Sequence, residues 1–263
     1  MLARPHQVND RLRLKKRVDY FFRSETRDRN EVARFAEQMS DLGQVAIIGG
    51  MLRNLYLEGT REFVSDVDFV IDCHSILEFE RAMGTLNAQR NRFGGFGIDL
   101  NKWKVDIWPL QKTWAAVEGH LKVEKLDDLI NATFFNWDEA IYRLNDHKLT
   151  TAPQYFEWLS RRLLEINLEA NPNPMGNAIR AFRYAWRWNA NFGPRLARHV
   201  LSQIVDRGWE AFLASERSSF SHRILDQLDG RKLHWRLQNY VEAGDEKPLH
   251  LNLQPHQQAL PIS

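Results

Sequence analysis

Apolar residues recur at helical spacing over residues 8–40 (Leu14, Val18, Phe21 and Phe22, then Val32, Phe35 and Met39), with charged residues between them. That pattern predicts one or two amphipathic helices, each with one buried stripe. Asp41-Leu42-Gly43 reads as the stop, with Gly43 at the left-handed closing position. The apolar run Val45-Ala46-Ile47-Ile48 then predicts a buried strand entering a tight Gly49-Gly50 turn, and Met51 to Leu57 regains helical spacing. Val64–Ile71 alternates strictly, placing Val67, Phe69 and Ile71 on one face and Asp66 and Asp68 on the other. A helix over Ser75–Leu86 precedes Phe93–Leu100, a turn at Asn101-Lys102 and Trp103–Leu110, the pattern of a β-hairpin. This order of elements predicts an α/β or α+β catalytic core.

Strand signals fade after about residue 120. Leu126–Leu144, Tyr155–Leu168, Asn177–Trp188, Gly193–Val205 and Ser221–Tyr240 read as helices, with Pro172 and Pro174 near the start of one. From Gly244 onward, Pro248, Pro255, Pro261 and several glutamines predict an extended tail. The expected division is an N-terminal helical segment (1–40), a catalytic head (41–150), a helical C-terminal domain (151–243) and the tail (244–263).

Composition narrows the class. With 43% hydrophobic and 27% charged residues over 263 positions, the chain is globular and long enough to bury a core without disulfides. The lone Cys73 forms no intrachain bridge, and neither a membrane span nor a signal-peptide core is evident, so a cytoplasmic location is expected. The net charge of +2 is unevenly spread: residues 1–40 hold ten Lys/Arg against six Asp/Glu, and residues 177–236 hold eleven against five. Basic flanks around an acidic centre suit an anionic substrate reaching a carboxylate site that binds metal.

The centre holds the chemistry. Period two sets Asp66 and Asp68 side by side on one strand, where they repel unless a cation lies between them. Mg²⁺ fits, because it prefers carboxylate oxygens, keeps waters and coordinates phosphate. Asp106, between Val105 and Ile107 in another alternating strand, supplies a third carboxylate, enough to hold two Mg²⁺ ions (or Mn²⁺) across a phosphoryl transfer. The bare Gly49-Gly50 turn lets backbone N–H groups approach a triphosphate, and Arg53 lies one helical turn on. Gly94-Gly95-Phe96-Gly97 reads as a flexible strand or bulge near the site. His199, His222 and His234 lack ligand spacing and read as structural or surface groups.

Gly49-Gly50-Met51-Leu52-Arg53-Asn54 followed by Ser65-Asp66-Val67-Asp68-Phe69 resembles the head domain of the poly(A) polymerases and tRNA CCA-adding enzymes, in the DNA polymerase β-like nucleotidyltransferase superfamily. The resemblance implies an α+β fold, a mixed sheet with flanking helices, plus a helical C-terminal half. It makes Asp66 and Asp68 metal ligands, Gly49-Gly50 the triphosphate turn and Asp106, in Lys104-Val-Asp-Ile-Trp-Pro109, the third carboxylate. Asn54 stands where the family carries Asp. Leu129-Ile-Asn131-Ala132 resembles the segment ending the head, and Asn177-Ala-Ile-Arg180-Ala-Phe-Arg183 resembles the neck helix. Asn131, Arg180 and Arg183 are thereby expected to bind nucleotide.

The implied activity is template-independent transfer of nucleotidyl units from an NTP or dNTP to a hydroxyl, with single-stranded nucleic acid or tRNA as acceptor or product. Only about 75 residues follow the neck-like helix, which suggests a short form without a full tRNA-binding tail. Compact members of the superfamily point to an oligonucleotide or nucleotide signal in antiphage defence. One rival is a toxin-like or RNA-processing transferase acting on tRNA or protein, and another is a sensor that binds nucleotide or nucleic acid without turnover.

Overall fold

The computed structural model describes residues 5–24, 26–61, 63–91 and 93–253. They divide into two compact units, one of residues up to Glu157 with Asn167–Ala170, the other of Trp158–Ile166 and the chain from Asn171.

The first unit opens with helices α1 (Pro5–Arg23) and α2 (Arg27–Ser40). Then follow β1 (Gly43–Ile48), α3 (Gly50–Leu57), β2 (Val67–Cys73), α4 (Ile76–Thr85), β3 (Gln89–Arg90), β4 (Phe96–Leu100) and β5 (Trp103–Pro109). A short α5 (Trp114–Val117), β6 (Ala140–Arg143) and β7 (Lys148–Thr151) complete the sheet region, and α6 (Tyr155–Ser160) follows. Seven strands form one mixed sheet in the order β3-β4-β5-β2-β1-β6-β7, in which only the β2–β5 pair is parallel.

Alternation along the strands gives the sheet two faces. On one, Phe69 meets Phe22 and Phe35 at ring separations of 6.4 and 5.8 Å, so the apolar stripes of α1 and α2 close this side. On the other, Ala46, Val70, Leu110, Leu126, Leu129 and Ile141 form a smaller cluster, joined by the partly buried Ile48, Trp108, Ile130 and Ala132. Asp68 shares the second face with Val70, and Asp106 shares it with Trp108. Both acids therefore stand at the margin of a small apolar cluster rather than beneath the helical cover.

The second unit contains α7 (Pro174–Trp188), α8 (Pro194–Arg207), α9 (Trp209–Ser219) and α10 (Gly230–Glu242), and β8 (Leu163–Leu164) pairs in parallel with β9 (Asn191–Phe192). Asn173 caps α7 by accepting from Gly176 N at 3.1 Å, with Pro174 at the first helical position where no N–H is needed. Glu165 accepts from Arg195 N and Leu196 N at 3.1 and 2.8 Å, which satisfies orphan donors at the start of α8. Phe182, Phe192 and Phe212 are fully buried at its core.

Four expectations need correction. Leu126–Leu144 is not one helix but two 3₁₀ turns (Leu126–Asn131 and Asn136–Asp138) and β6. A 3₁₀ turn superposes positions i and i+3, so Leu126 and Leu129 reproduce a helical signal. The helix expected over Tyr155–Leu168 ends at Ser160, and Arg162 at φ +55° turns the chain into β8. In place of a helix over Ser221–Tyr240, α10 begins only after its cap Asp229, and α9 lies upstream where none is predicted. Gly43 is not left-handed: a Cβ there would sit 2.3 Å from the Asp72 carbonyl oxygen, so close strand approach requires the glycine. Leu249 of the expected tail bridges to Phe192, and Pro255 and Pro261 lie outside the described residues. No described helix is long and apolar enough to cross a membrane.

Candidate active site

Strand register assembles the acidic centre. Asp68 of β2 lies directly opposite Asp106 of β5, and Asp106 lies opposite Gly97 of β4. Residues opposite one another share a face, so the row across three strands reads glycine, aspartate, aspartate. A Cβ at Gly97 would approach Asp106 Oδ1 to 3.3 Å, so the missing side chain leaves the carboxylate room. Asn91 Nδ2 donates to the same oxygen at 3.2 Å and fixes its direction. Gly97 is therefore a regular strand position rather than a bulge.

Asp66 falls one residue before β2 and is exposed. Its carboxyl lies above the ordinary range, first because packing around it removes water and next because of the negative charge of Asp106, with Asp99 adding and Lys104 opposing. Asp66 thus senses the charge of Asp106. Among the described residues, no three acidic, histidine or cysteine side chains close around a common point.

The β1–β2 register, with Ile47 opposite Phe69, carries the Gly49-Gly50 turn to the same end of the sheet as Asp66 and Asp68. Gly49 has φ +66° and ψ −131°, a conformation only glycine adopts cheaply, and a Cβ there would meet nothing within 4 Å. No side chain caps the N-terminus of α3, so its leading N–H groups stay available beside the carboxylates.

Arg53 occupies a different place from that of an open triphosphate ligand. It is 5% exposed and ion-paired with Asp138, while its Nε donates to Asn54 Oδ1 at 3.1 Å. Its Nη2 would lie 3.1 Å from a Cβ at Gly50, directly behind the turn. Asp138 and Asn91 carry no motif and escape sequence reasoning; the only hint is an acid pair, Asp138-Glu139, set in an aromatic run.

Glu139 is 6% exposed and its carboxyl is pushed up to about 7, by burial first and the Asp138 charge second. Its neutral form is favoured in the fold. The stability this provides is complete below the unfolded value near 4.5 and is lost as pH rises through about 7. Glu139→Gln is accordingly expected to be more stable than the parent at pH 8, by up to about 3 kcal/mol, with no such gain at pH 4. Urea denaturation at the two pH values reads this difference.

The remaining expected residues are distributed. Asn131 is exposed at the end of the first 3₁₀ turn, next to Ala132, which packs on the same sheet face as the acids. Arg180 and Arg183 both lie on α7 but differ in engagement. Arg183 pairs with Glu216, itself 1% exposed, at 2.6 Å, donates to His222 O at 2.8 Å and stacks 4.0 Å from the Phe220 ring centre. Arg180 is exposed and, among the described residues, its side chain contacts the Asn177 side chain, at 3.5 Å.

No protein-family model matches the chain, and no curated protein matches it. Solved structures do. A CCA-adding enzyme with CTP superposes with TM-score 0.54 at 16% identity, covering 80% of this chain and 51% of its own. The Thermotoga maritima CCA-adding enzyme complexed with tRNA gives 0.55 at 13% identity, covering 86% and 54%. A tRNA nucleotidyltransferase complexed with a primer tRNA and an incoming ATP analogue gives 0.50 at 18% identity, covering 81% and 61%. The chain spans about half the length of the first of these. The chain therefore shares the fold of these solved structures, a mixed-sheet unit followed by a helical one.

Proposed function

We propose that this protein is a template-independent nucleotidyltransferase that joins NTP or dNTP units to a hydroxyl acceptor. The observation that carries the reading is the Asp68–Asp106 pair, facing across neighbouring strands beside an uncapped helix start. Facing like charges are unfavourable in an ordinary sheet. An all-oxygen acidic set fits a hard divalent cation, and Mg²⁺ commonly takes one or two carboxylates and fills its remaining positions with water and phosphate. Asp66, Asp68 and Asp106 would hold two such ions, Mg²⁺ or Mn²⁺, whose charge offsets that developing on the transferred phosphoryl group.

The other roles fall to the chain itself. Backbone N–H groups of Gly50 and the following residues bind triphosphate oxygens, with Gly49 supplying the backbone turn that exposes them. Asp106, oriented by Asn91, takes the proton of the attacking hydroxyl as its oxygen bonds to the α-phosphorus, the α–β phosphoanhydride bond breaks and pyrophosphate leaves. Arg53 acts from behind the turn rather than on the phosphate. Asn131 and the exposed Arg180 are assigned to substrate, whereas Arg183 is engaged within its own unit.

Purified protein incubated with Mg²⁺ or Mn²⁺ and each labelled NTP and dNTP, with and without bulk tRNA, tests the reading on a denaturing gel. A ladder lost in Asp66→Ala/Asp68→Ala is expected if the product is a short oligonucleotide, as in a defence signal. Label on tRNA selects an RNA-processing transferase instead. No consumption of any nucleotide, with nucleotide binding indifferent to divalent cation, would leave a sensor.

A further inference from the structure

On α1, Val8, Leu12, Lys16 and Tyr20 follow one another at intervals of four, and Asn9, Arg13 and Arg17 form the adjacent row. Residues so spaced lie on one helix face. Three of them are apolar or aromatic yet open to solvent: Val8 is 47%, Leu12 50% and Tyr20 59% exposed. The face lines a groove of about 410 Å³ that includes Asn9, Leu12, Arg13, Lys16, Arg17 and Tyr20, with Thr60 opposite.

Among the described residues no acid lines this groove. Arg13 is paired with Asp10 at 3.1 Å and lies 4.6 Å over the Tyr56 ring. Lys16 has no carboxylate partner among the described residues. Arg17 Nη1 donates to the carbonyls of Leu55 and Tyr56 at 2.7 and 2.6 Å, closing the C-terminus of α3 without a counter-charge. Burial first, and then the positive charge of Arg13, hold Arg17 below its ordinary value.

We infer that this groove binds single-stranded nucleic acid, its cations meeting phosphodiester oxygens and Tyr20 stacking on a base. Sequence-tolerant single-strand sites combine a cationic track with exposed aromatic faces. A protein partner would find Leu12 and Val8 but gain little from two uncompensated cations. The eight residues of α3 span about 12 Å. They separate the groove from the Gly49-Gly50 turn, so an acceptor held here has to pass around α3 to reach the carboxylate row, which lies on the sheet face away from α1. That acceptor role rests on the transferase reading; binding itself does not.

The test is fluorescence anisotropy of a short, unstructured RNA with a 5′ fluorophore, without nucleotide or divalent cation. The parent is expected to bind with an affinity that falls as salt rises, and Lys16→Glu and Tyr20→Ala each to weaken binding about tenfold. Lys122→Glu, the same charge change at an exposed head position, is expected to shift it far less. Parent protein that fails to bind, or Lys16→Glu and Tyr20→Ala variants that bind like Lys122→Glu, overturns the inference. So does unchanged RNA binding with loss of self-association on sedimentation, which marks a face between copies. Groove binding with no nucleotide incorporation removes the transferase reading and leaves the groove standing.

Discussion

Replacing Asp68 or Asp106 with asparagine is expected to lower single-turnover nucleotidyl transfer by about a thousandfold or more, or about 4 kcal/mol of transition-state stabilisation. The size follows from the role: each acid faces the other in register, so each neutralisation removes a charged oxygen ligand from the same small space. A second consequence has the opposite sign. Asp68 and Asp106 carry like charges at facing positions of the β2–β5 pair, so Asp68→Asn is expected to raise the thermal midpoint in chelator. Added Mg²⁺ should raise the midpoint of the parent and move that of the variant much less. Transfer at the parental rate by Asp68→Asn would remove the carboxylate row from the chemistry. Lost transfer with a lowered midpoint in chelator would instead assign Asp68 to folding.

Much of the head is legible in the sequence because its signals are local. Val67 to Ile71 is a β-branched and aromatic run buried on both faces from Phe69 to Ile71, and the Asn101-Lys102 turn separates two runs whose pairing, Leu100 opposite Trp103, follows directly. What local patterns do not encode is which strands meet. The sheet places β5 beside β2 in parallel, with α4 and the β3–β4 segment intervening in sequence, and that pairing turns Asp68 and Asp106 into neighbours. Gly97 shows the same limit, since its purpose appears only once Asp106 lies opposite. The four-residue strand β6 is too short to declare a period, and the 3₁₀ turns before it imitate helical spacing. Arg183 reads from sequence as a twin of Arg180; its ion pair with Glu216 spans 33 positions and lies beyond any local pattern.

Asp138→Asn is expected to destabilise the protein by about 3–5 kcal/mol in urea denaturation, because it removes the carboxylate paired with the buried Arg53 guanidinium. Arg53→Met should cost a similar amount, since it strands Asp138 beside the buried Glu139. The double variant should recover much of either loss, and the cycle isolates the coupling between the two side chains. Asn54 makes the arrangement sensitive: a neutral amide accepts from Arg53 Nε, so Asp138 is the carboxylate paired with this cation. The pair also bears on function through Gly50, because the Arg53 Nη2 that Asp138 helps fix lies against the turn whose N–H groups are assigned to triphosphate. In Arg53→Lys, which keeps the charge but loses the planar fork, the KM for nucleotide should rise more than kcat falls, with partial retention of stability. A variant that lost stability yet kept the parental KM would make Arg53 a core ion pair and nothing more.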